Sequence, residues 1–328
     1  MTVPSRSVGI RNLHIDALAE ASDVIAVADV LDVKATGAAP PILFHDQQLQ
    51  ARAYACDLHV RRIIKGTIAE SVTVKYALPT SFVGYRGLQR GTRIVFLRRE
   101  EGWYAPVDPY YPDFPAVLSV PGSNGSQAAA NDYATLVVRE MVAVIASATA
   151  SPAEKSQILQ VEYALPSNEE VVAAFREGLA TTPGPELRER LQGDLIGFGD
   201  MNELPRVARL LLTNSATANQ KTWLLYVIGN RVKGRSAIPE LGPLLRSEDS
   251  SMREAAVEAL WHIADPVAVP ELLRGLRDPD QRVRFYAVRA LSDIANEPGW
   301  GGPGESEFQE HQQEYLTHWQ NWAQNRAQ

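Results

Sequence analysis

The sequence has a single cysteine, Cys56, among its 328 residues. One cysteine can form neither an intramolecular disulfide nor a cysteine-based zinc site. Cys56 lies in an apolar, alternating stretch, which predicts a buried, unreactive thiol. The histidines form no HExxH motif, and none has a cysteine at metal-ligand spacing, so we predict no metal site. The six are His14, His45, His59, His262, His311 and His318.

Motifs that bind nucleotides or activate a nucleophile are also missing. The sequence contains no GxSxG, no GxGxxG and no GxxxxGKS or GxxxxGKT segment. Carboxylates are plentiful, but on helix surfaces they are typical of a solvated face. We therefore expect a protein that is not an enzyme, with no catalytic residue and no cofactor.

Long hydrophobic runs are absent as well. The most apolar stretch, residues 133–150, carries Arg139 and Glu140 near its middle, which is typical of a soluble helix and not of a membrane span. Residues 1–27 contain no apolar segment long enough for a secretory leader. We therefore expect a cytoplasmic protein without a membrane span. An apolar leader upstream of residue 1 would instead indicate export to the periplasm.

Positive charge is scarce in the second part of the chain. The formal net charge is -7, and residues 1–130 hold 13 Lys and Arg against 12 Asp and Glu. The remaining residues therefore carry a net charge of -8. Because an acidic surface repels phosphate backbones, we do not expect residues 131–328 to bind nucleic acid.

The first third of the chain has the pattern of short strands. Alternating or β-branched segments are separated by Gly and Pro, and no helical pattern falls between them. This order favours an antiparallel barrel or sandwich. Residues 16–21 can form a short leading helix. The predicted strands are residues 23–34, 54–64, 71–77, 92–98 and 103–107.

From about residue 132 the apolar spacing becomes helical. Asp132, Ser151 and Asn168 are placed to cap the helices that follow them. The change from a strand pattern to a helical pattern predicts an α+β multidomain chain. Residues 1–20 are expected to form an N-terminal segment, and residues 21–120 the β domain. Residues 121–131 form a linker, 132–298 helical repeats, and 299–328 a C-terminal capping helix.

The helical part contains an internal repeat. The segment Ala237-Ile238-Pro239-Glu240-Leu241 reappears, at an offset of 31, as Ala268-Val269-Pro270-Glu271-Leu272. Such gapless agreement indicates duplicated two-helix units that must stack, because one pair cannot bury its own apolar face. The same offset relates Asp249 to Asp280, Arg253 to Arg284, Ala256 to Ala287, Leu260 to Leu291 and Ile263 to Ile294.

Residues 272–295, LLRGLRDPDQRVRFYAVRALSDIA, resemble the HEAT-repeat superfamily and in particular its short bacterial, phycobilisome-lyase HEAT-like type. Weaker copies upstream extend the resemblance to about residues 150–296 and give four or five units. The resemblance implies a helical solenoid. It also implies that Asp249, Asp280, Arg253 and Arg284 form structural ladders between units and not a catalytic site.

Aromatic residues recur at helical spacing in the C-terminal tail. Phe308, Tyr315, Trp319 and Trp322 lie on one helical stripe. This pattern favours a helix that caps the last repeat, since a solenoid needs a terminal cap. The alternative is a surface for dimerisation or for a partner, because Trp and Tyr favour interfaces.

In the β domain, Val60–Gly66 and Gly91–Leu97 are the segments that resemble bacterial OB-like barrels, distantly similar to the netrin module and to the tissue inhibitors of metalloproteinases. Those inhibitors chelate zinc through a disulfide-pinned N-terminal cysteine, which this chain lacks. An OB-like barrel binds ligands on one face, and Tyr110, Tyr111 and Phe114 are candidate contacts. Packing between domains is the alternative role for these three residues.

The expected function is protein–protein interaction by a scaffold or adaptor. In the second helix of each unit, the positions between the buried ones are expected to face outward. A sensor with a ligand-binding barrel and a chromophore or cofactor lyase are the alternatives. Phe285 is the expected anchor of the partner site, and contact with the next unit or with the cap is its alternative. The candidate partner-binding residues of these helices are Glu254, Glu258, His262, Phe285, Arg289 and Asp293.

Overall fold

The computed structural model describes residues 15–44, 47–81, 87–108, 112–117, 132–182 and 184–326. The chain has two parts, a mixed β-sheet followed by a helical region, which confirms an α+β organisation. Its contacts form two compact units, Met1–Thr182 and Pro183–Gln328. None of the described helices combines the length and apolar character needed to cross a membrane.

The first unit begins with helix α1 and is built on a six-stranded sheet. The five predicted strands are present, and a short sixth one follows them. Their bounds are α1 Ile15–Ala21, β1 Val24–Phe44, β2 Gln47–Lys65, β3 Ser71–Pro79, β4 Gly91–Glu100, β5 Trp103–Pro106 and β6 Asp113–Pro115.

Strand β1 pairs on both of its edges. It is antiparallel to β2 on one edge and to β4 on the other, so Val27 lies opposite both Arg62 and Ile94. Strand β3 pairs with β2 and, in parallel through Val74 and Tyr104, with β5. Strand β4 also pairs with β5 and β6. The sheet is therefore mixed, and the expectation of a purely antiparallel sheet is corrected by the β3–β5 ladder.

The first two strands extend well beyond the predicted segments. Residues 35–44, predicted as a Gly- and Pro-containing loop, continue β1 and pair with residues 47–54 of β2. Pro40 and Pro41 fall where the pairing register shifts, between Ala39 and Ile42. Proline cannot donate a ladder hydrogen bond, so it is tolerated at an edge or an irregularity of this kind. The β1–β4 ladder ends at Val30, which leaves this edge of β1 free of β4.

Cys56 lies in the core of the sheet, as predicted, with 1% of its surface exposed. Burial, reinforced by the nearby charge of Asp57, raises the pKa of its thiol to about 12. The thiol is therefore protonated at neutral pH and behaves as a small apolar side chain.

Three helices complete the first unit, and their predicted caps are confirmed. Asp132 accepts a hydrogen bond from the amide of Thr135, and Asn168 from that of Val171. Ser151 forms a reciprocal capping box with Glu154. The helices are α2 Tyr133–Ala146, α3 Pro152–Leu159 and α4 Glu169–Thr181.

The second unit consists of helices that alternate between two layers. Helices α5, α7, α9 and α11 pack side by side in one layer, and α6 packs on α8 and α8 on α10 in the other. We call the first set the B helices and the second set the A helices. Their bounds are α5 Pro185–Gly197, α6 Leu204–Leu212, α7 Ala218–Arg231, α8 Ile238–Leu245, α9 Ser250–Ile263, α10 Val269–Gly275, α11 Gln281–Ala295 and, last, α12 Glu305–Arg326.

The two repeat units identified in the sequence fold alike and pack against each other. Each starts with a turn of 3-10 helix, at Arg235–Ala237 and at Pro266–Ala268, and each A helix has Pro in its first turn. Asp249 and Asp280 cap the B helices, as predicted. The upstream pair α6–α7 follows the same order of elements. The repeat inferred from the sequence is therefore a structural repeat.

Arginine side chains tie the loops of successive units together. Arg253 donates to both carboxylate oxygens of Asp278, at 2.8 and 2.9 Å, and to the carbonyl oxygens of Ser247 and Glu248. The equivalent Arg284 donates to the carbonyl oxygen of Asp278 in the same way. Lys221 forms an ion pair with Asp249 one unit further on. The Arg253–Asp278 and Lys221–Asp249 pairs join successive units, as the HEAT resemblance implies for Arg253 and Asp249. Asp280, by contrast, caps its own helix, and Arg284 bonds to its own loop and to Gln312 of α12.

Helix α12 packs against α10 and α11 at the end of the repeats. Phe308 and Trp319 are fully buried, and Leu316 is 8% exposed. Trp300 stacks on His318 with ring centroids 3.7 Å apart. The aromatic stripe of the tail thus covers the last repeat.

Candidate partner-binding face

The candidate site is a strip of side chains on the B helices α7, α9 and α11. Positions separated by one turn lie between the buried ones, and equivalent positions of the three helices form rows, in which only Phe285 is buried. We call this strip the outer B-helix face. Its rows are Thr222, Glu254 and Phe285; Tyr226, Glu258 and Arg289; and Asn230, His262 and Asp293.

Hydrogen bonds between neighbouring helices hold the third row in place. The Nδ1 of His262 lies 2.8 Å from the carbonyl oxygen of Gly229. Since a carbonyl oxygen only accepts, Nδ1 carries the proton and donates. Trp261 donates from Nε1 to a carboxylate oxygen of Asp293 at 2.7 Å. Both His262 and Asp293 remain exposed, so they are fixed in position while facing solvent.

The second row combines charge with aromatic rings. The guanidinium of Arg289 lies 4.1 Å from the centroid of the Trp261 ring, a cation–π contact. The pKa of the Tyr286 hydroxyl is raised by burial and by the charge of Glu258 beside it. Glu254, in the first row, accepts a hydrogen bond from Arg282 at 2.6 Å. The face therefore carries three carboxylates against the single guanidinium of Arg289.

Phe285 does not face outward, so its expected position is corrected. Only 8% of its surface is exposed, and its ring lies 5.6 Å from that of Phe308 on α12. The repeat offset aligns Phe285 with the outward-facing Glu254. The neighbour of α11, however, is the capping helix and not another repeat, and it covers Phe285. The alternative role, contact with the cap, is what the structure shows.

The candidate contacts of the β domain are not brought to a surface that the structure describes. Phe114 is fully buried and forms an edge-to-face contact with Phe96 at 5.6 Å, so it is a core residue. Its expected role as a ligand contact is corrected for that reason. Tyr110 and Tyr111 lie outside the described residues.

Tyr226, a half-exposed aromatic residue of this face, is not among the residues predicted from the sequence. Tyr226 is 49% exposed and stacks on Trp223 at 5.7 Å. Trp223 in turn lies between the guanidinium groups of Arg190 and Arg231, 4.1 and 5.0 Å from its ring centroid. Tyr226 occupies the position equivalent to Glu258, but the unit that contains it is slightly longer than the next one. A search for a repeat of constant length therefore misses it.

The groups of this face are polar and aromatic. Among the described residues, no group of three or more His, Cys, Asp or Glu side chains is arranged to hold a metal ion. The face instead offers an exposed phenol ring, an imidazole, a carboxylate and a stacked guanidinium. Of these, tyrosine and arginine are enriched at protein interfaces.

Comparison with known proteins supports the repeat assignment. Residues 238–299 match the family model for HEAT repeats. The chain therefore carries HEAT repeats in its C-terminal half. A solved structure, human deoxyhypusine hydroxylase in complex with glycerol, is similar over 58% of this chain and 73% of its own, with 15% identity and a TM-score of 0.27. No curated protein matches the chain.

Proposed function

We propose that this protein is a non-enzymatic scaffold or adaptor that binds a protein partner through the outer B-helix face. HEAT repeats generally mediate protein–protein interaction, which supports the proposal. The observation that carries it is the exposed ring of Tyr226, held by Trp223 on a face whose neighbouring side chains are already fixed.

Preorganisation is the physical reason why this face suits a partner. Ordering a flexible side chain on binding costs about 0.5–1.5 kcal/mol, and contacts that already fix the side chain remove that cost. Asp293, His262 and Arg289 are each held by a residue of the same face or of a neighbouring helix. Because the face carries three carboxylates against one guanidinium, the complementary partner surface is mainly basic, with an apolar socket for Tyr226.

For the first unit we propose a closed, OB-like barrel. The strand pairings support it, because they run from β1 through β2, β3, β5 and β4 and return to β1. A closed order of five strands, with Greek-key connections, is the OB-like pattern. The pattern of residues 272–295 similarly supports the short bacterial type of HEAT repeat.

The proposal is tested by comparing the proteins that wild type and Tyr226→Ala capture from a native lysate. Tyr226 is half exposed, so we expect the substitution to shift the melting temperature by no more than about 2 °C. Leu212→Ala, on α6, is the matched control because Leu212 is 39% exposed and lies on an A helix.

We expect one or a few proteins to be captured by wild type and by Leu212→Ala and to be depleted about tenfold by Tyr226→Ala, since an interface tyrosine contributes on the order of 1.4 kcal/mol or more. Equal capture by all three proteins would contradict the proposal. So would a loss that is common to both variants.

A further inference from the structure

A groove of 670 Å³ lies between α5 and α6, away from the outer B-helix face. This volume is within the range of small-ligand sites, about 300–1,000 Å³, and is large enough for a few peptide residues. Its wall on α6 carries Arg206 and Arg209, and its wall on α5 carries Arg188, Glu189 and Gln192. All of these residues belong to the second unit.

The rim of the groove is positively charged. Arg206 and Arg209 are both exposed and lie three positions apart, so they share one side of α6. Neither guanidinium forms an ion pair or a hydrogen bond with any part of the chain that the structure describes. Arg188 adds a third guanidinium at the opposite wall. This concentration of positive charge is confined to the groove, because residues 183–328 as a whole contain 16 Lys and Arg against 20 Asp and Glu.

The floor of the groove holds a buried carboxyl group that lacks a partner. Glu189 is 9% exposed, and its Oε2 is inaccessible and accepts no hydrogen bond from the described residues. Burial, together with the charge of Glu186, raises the pKa of this carboxyl. A buried polar atom left without a partner is unfavourable, and a ligand removes this cost when the carboxyl turns toward the groove and accepts the missing bond.

We propose that this groove binds an acidic peptide segment. A side-chain carboxylate of the peptide pairs with Arg206 and Arg209, and the peptide backbone hydrogen-bonds to Glu189. The proposal goes beyond the scaffold function and does not rest on it, because none of the groove residues belongs to the outer B-helix face.

The two walls together favour a peptide over other anions. A backbone N–H donates to an ionised Glu189, and a backbone C=O accepts from a neutral one, so a peptide satisfies this group in both states. Phosphate ions and nucleic-acid backbones offer few donors. Guanidinium groups pair with carboxylates in bidentate geometry, which gives the rim its preference for Glu and Asp.

The test is the fluorescence anisotropy of a labelled, end-blocked hexaglutamate peptide titrated with the full chain at about 0.15 M salt. The variant is Arg206→Gln combined with Arg209→Gln. The matched control is Lys233→Gln combined with Arg235→Gln. It removes the same charge from two exposed residues outside the groove.

We expect wild type and the control to bind alike and the groove variant to bind at least about tenfold more weakly, because two charge-assisted hydrogen-bond donors are lost. Glu189→Leu is expected to raise the melting temperature, since it removes a buried unpaired carboxyl, and to weaken peptide binding. No binding of hexaglutamate by wild type would overturn the proposal. Equal weakening in groove variant and control, or full displacement of the peptide by an equal concentration of free glutamate, would also overturn it.

Discussion

The two units of this chain differ in the sequence separation of the segments that pack together inside each of them. In the sheet, Val27 of β1 pairs with Arg62 in β2 and with Ile94 in β4, so its ladders join segments that are far apart in the chain. In the helical unit, each B helix packs on the next one along the chain, so α9 contacts α7 and α11. A sheet with such ladders is stabilised as a whole, whereas a repeat array is stabilised by its nearest neighbours. A substitution should therefore act throughout the first unit but remain local in the second.

The largest effect that we predict is at the end of the array. Phe285→Ala should destabilise the helical unit by about 4 kcal/mol, because it opens a cavity between α11 and the capping helix. Phe285→Leu, which keeps most of the apolar volume, should cost much less. Thermal or urea unfolding measures both. A Phe285→Ala protein as stable as wild type would show that α12 does not cap the repeats.

A matched pair of core substitutions sharpens the comparison between the units. Leu58 in β2 and Leu291 in α11 are 1% and 0% exposed, and either one changed to Ala should cost about 3 kcal/mol. The two substitutions should differ in which backbone amides lose protection from hydrogen exchange. Leu58→Ala should lower protection in every strand, and Leu291→Ala mainly in α9 to α12. Uniform loss across the helical unit would contradict nearest-neighbour behaviour.

The loop ladder is expected to contribute less than the core. Arg253→Ala removes a bidentate ion pair that is largely shielded from water and two bonds to carbonyl oxygens. We expect a loss of about 2 kcal/mol in the free energy of unfolding, because the Asp278 carboxylate is left unpaired. Arg277→Ala, at the exposed position next to Asp278, is the control and should change stability little. Equal effects of the two substitutions would show that the Arg253 contacts do not contribute to stability.

The smallest predicted effect is a pH dependence that belongs to the helical unit. Hydrogen bonds from Lys221 and Ser251 lower the pKa of Asp249 from its ordinary value of 3.8 to about 2. A lowered pKa in the folded state contributes stability that is present above pH 4 and is lost as the pH falls toward 2. Asp249→Asn should therefore be less stable than wild type at pH 6, and this difference should disappear near pH 2. A stability difference between the two proteins that does not change with pH would contradict a stabilising ion pair between Lys221 and Asp249.

The helical unit could largely be predicted from sequence because its information is local and repeated. The constant offset between the two copies, the helix-opening Pro239 and Pro270 and the capping Asp249 and Asp280 each specify a local structure, and each is present. Phe285 was misplaced because its burial depends on α12, which breaks the repeat. The burial of a residue can be inferred from the equivalent residue of another unit only where the helix lies between two repeat units.

The sheet could be predicted only strand by strand. Strand segments follow from alternation, but the β1–β4 ladder and the parallel β3–β5 contact join distant residues and leave no pattern in either segment. Phe114 was expected at a surface because it follows an aromatic, Pro-rich loop, yet it packs on Phe96 in the core. The groove at Arg206 and Glu189 was also missed, since it forms only when α5 and α6 pack together.

The most direct test of the scaffold proposal is site-specific photo-crosslinking in the cells that make the protein, with p-benzoylphenylalanine in place of Tyr226 or of Leu212. Both side chains are exposed, but only Tyr226 lies on the outer B-helix face. The proposal predicts a discrete crosslinked partner from position 226 and none from position 212. No crosslink at position 226, or the same products from both positions, would contradict it.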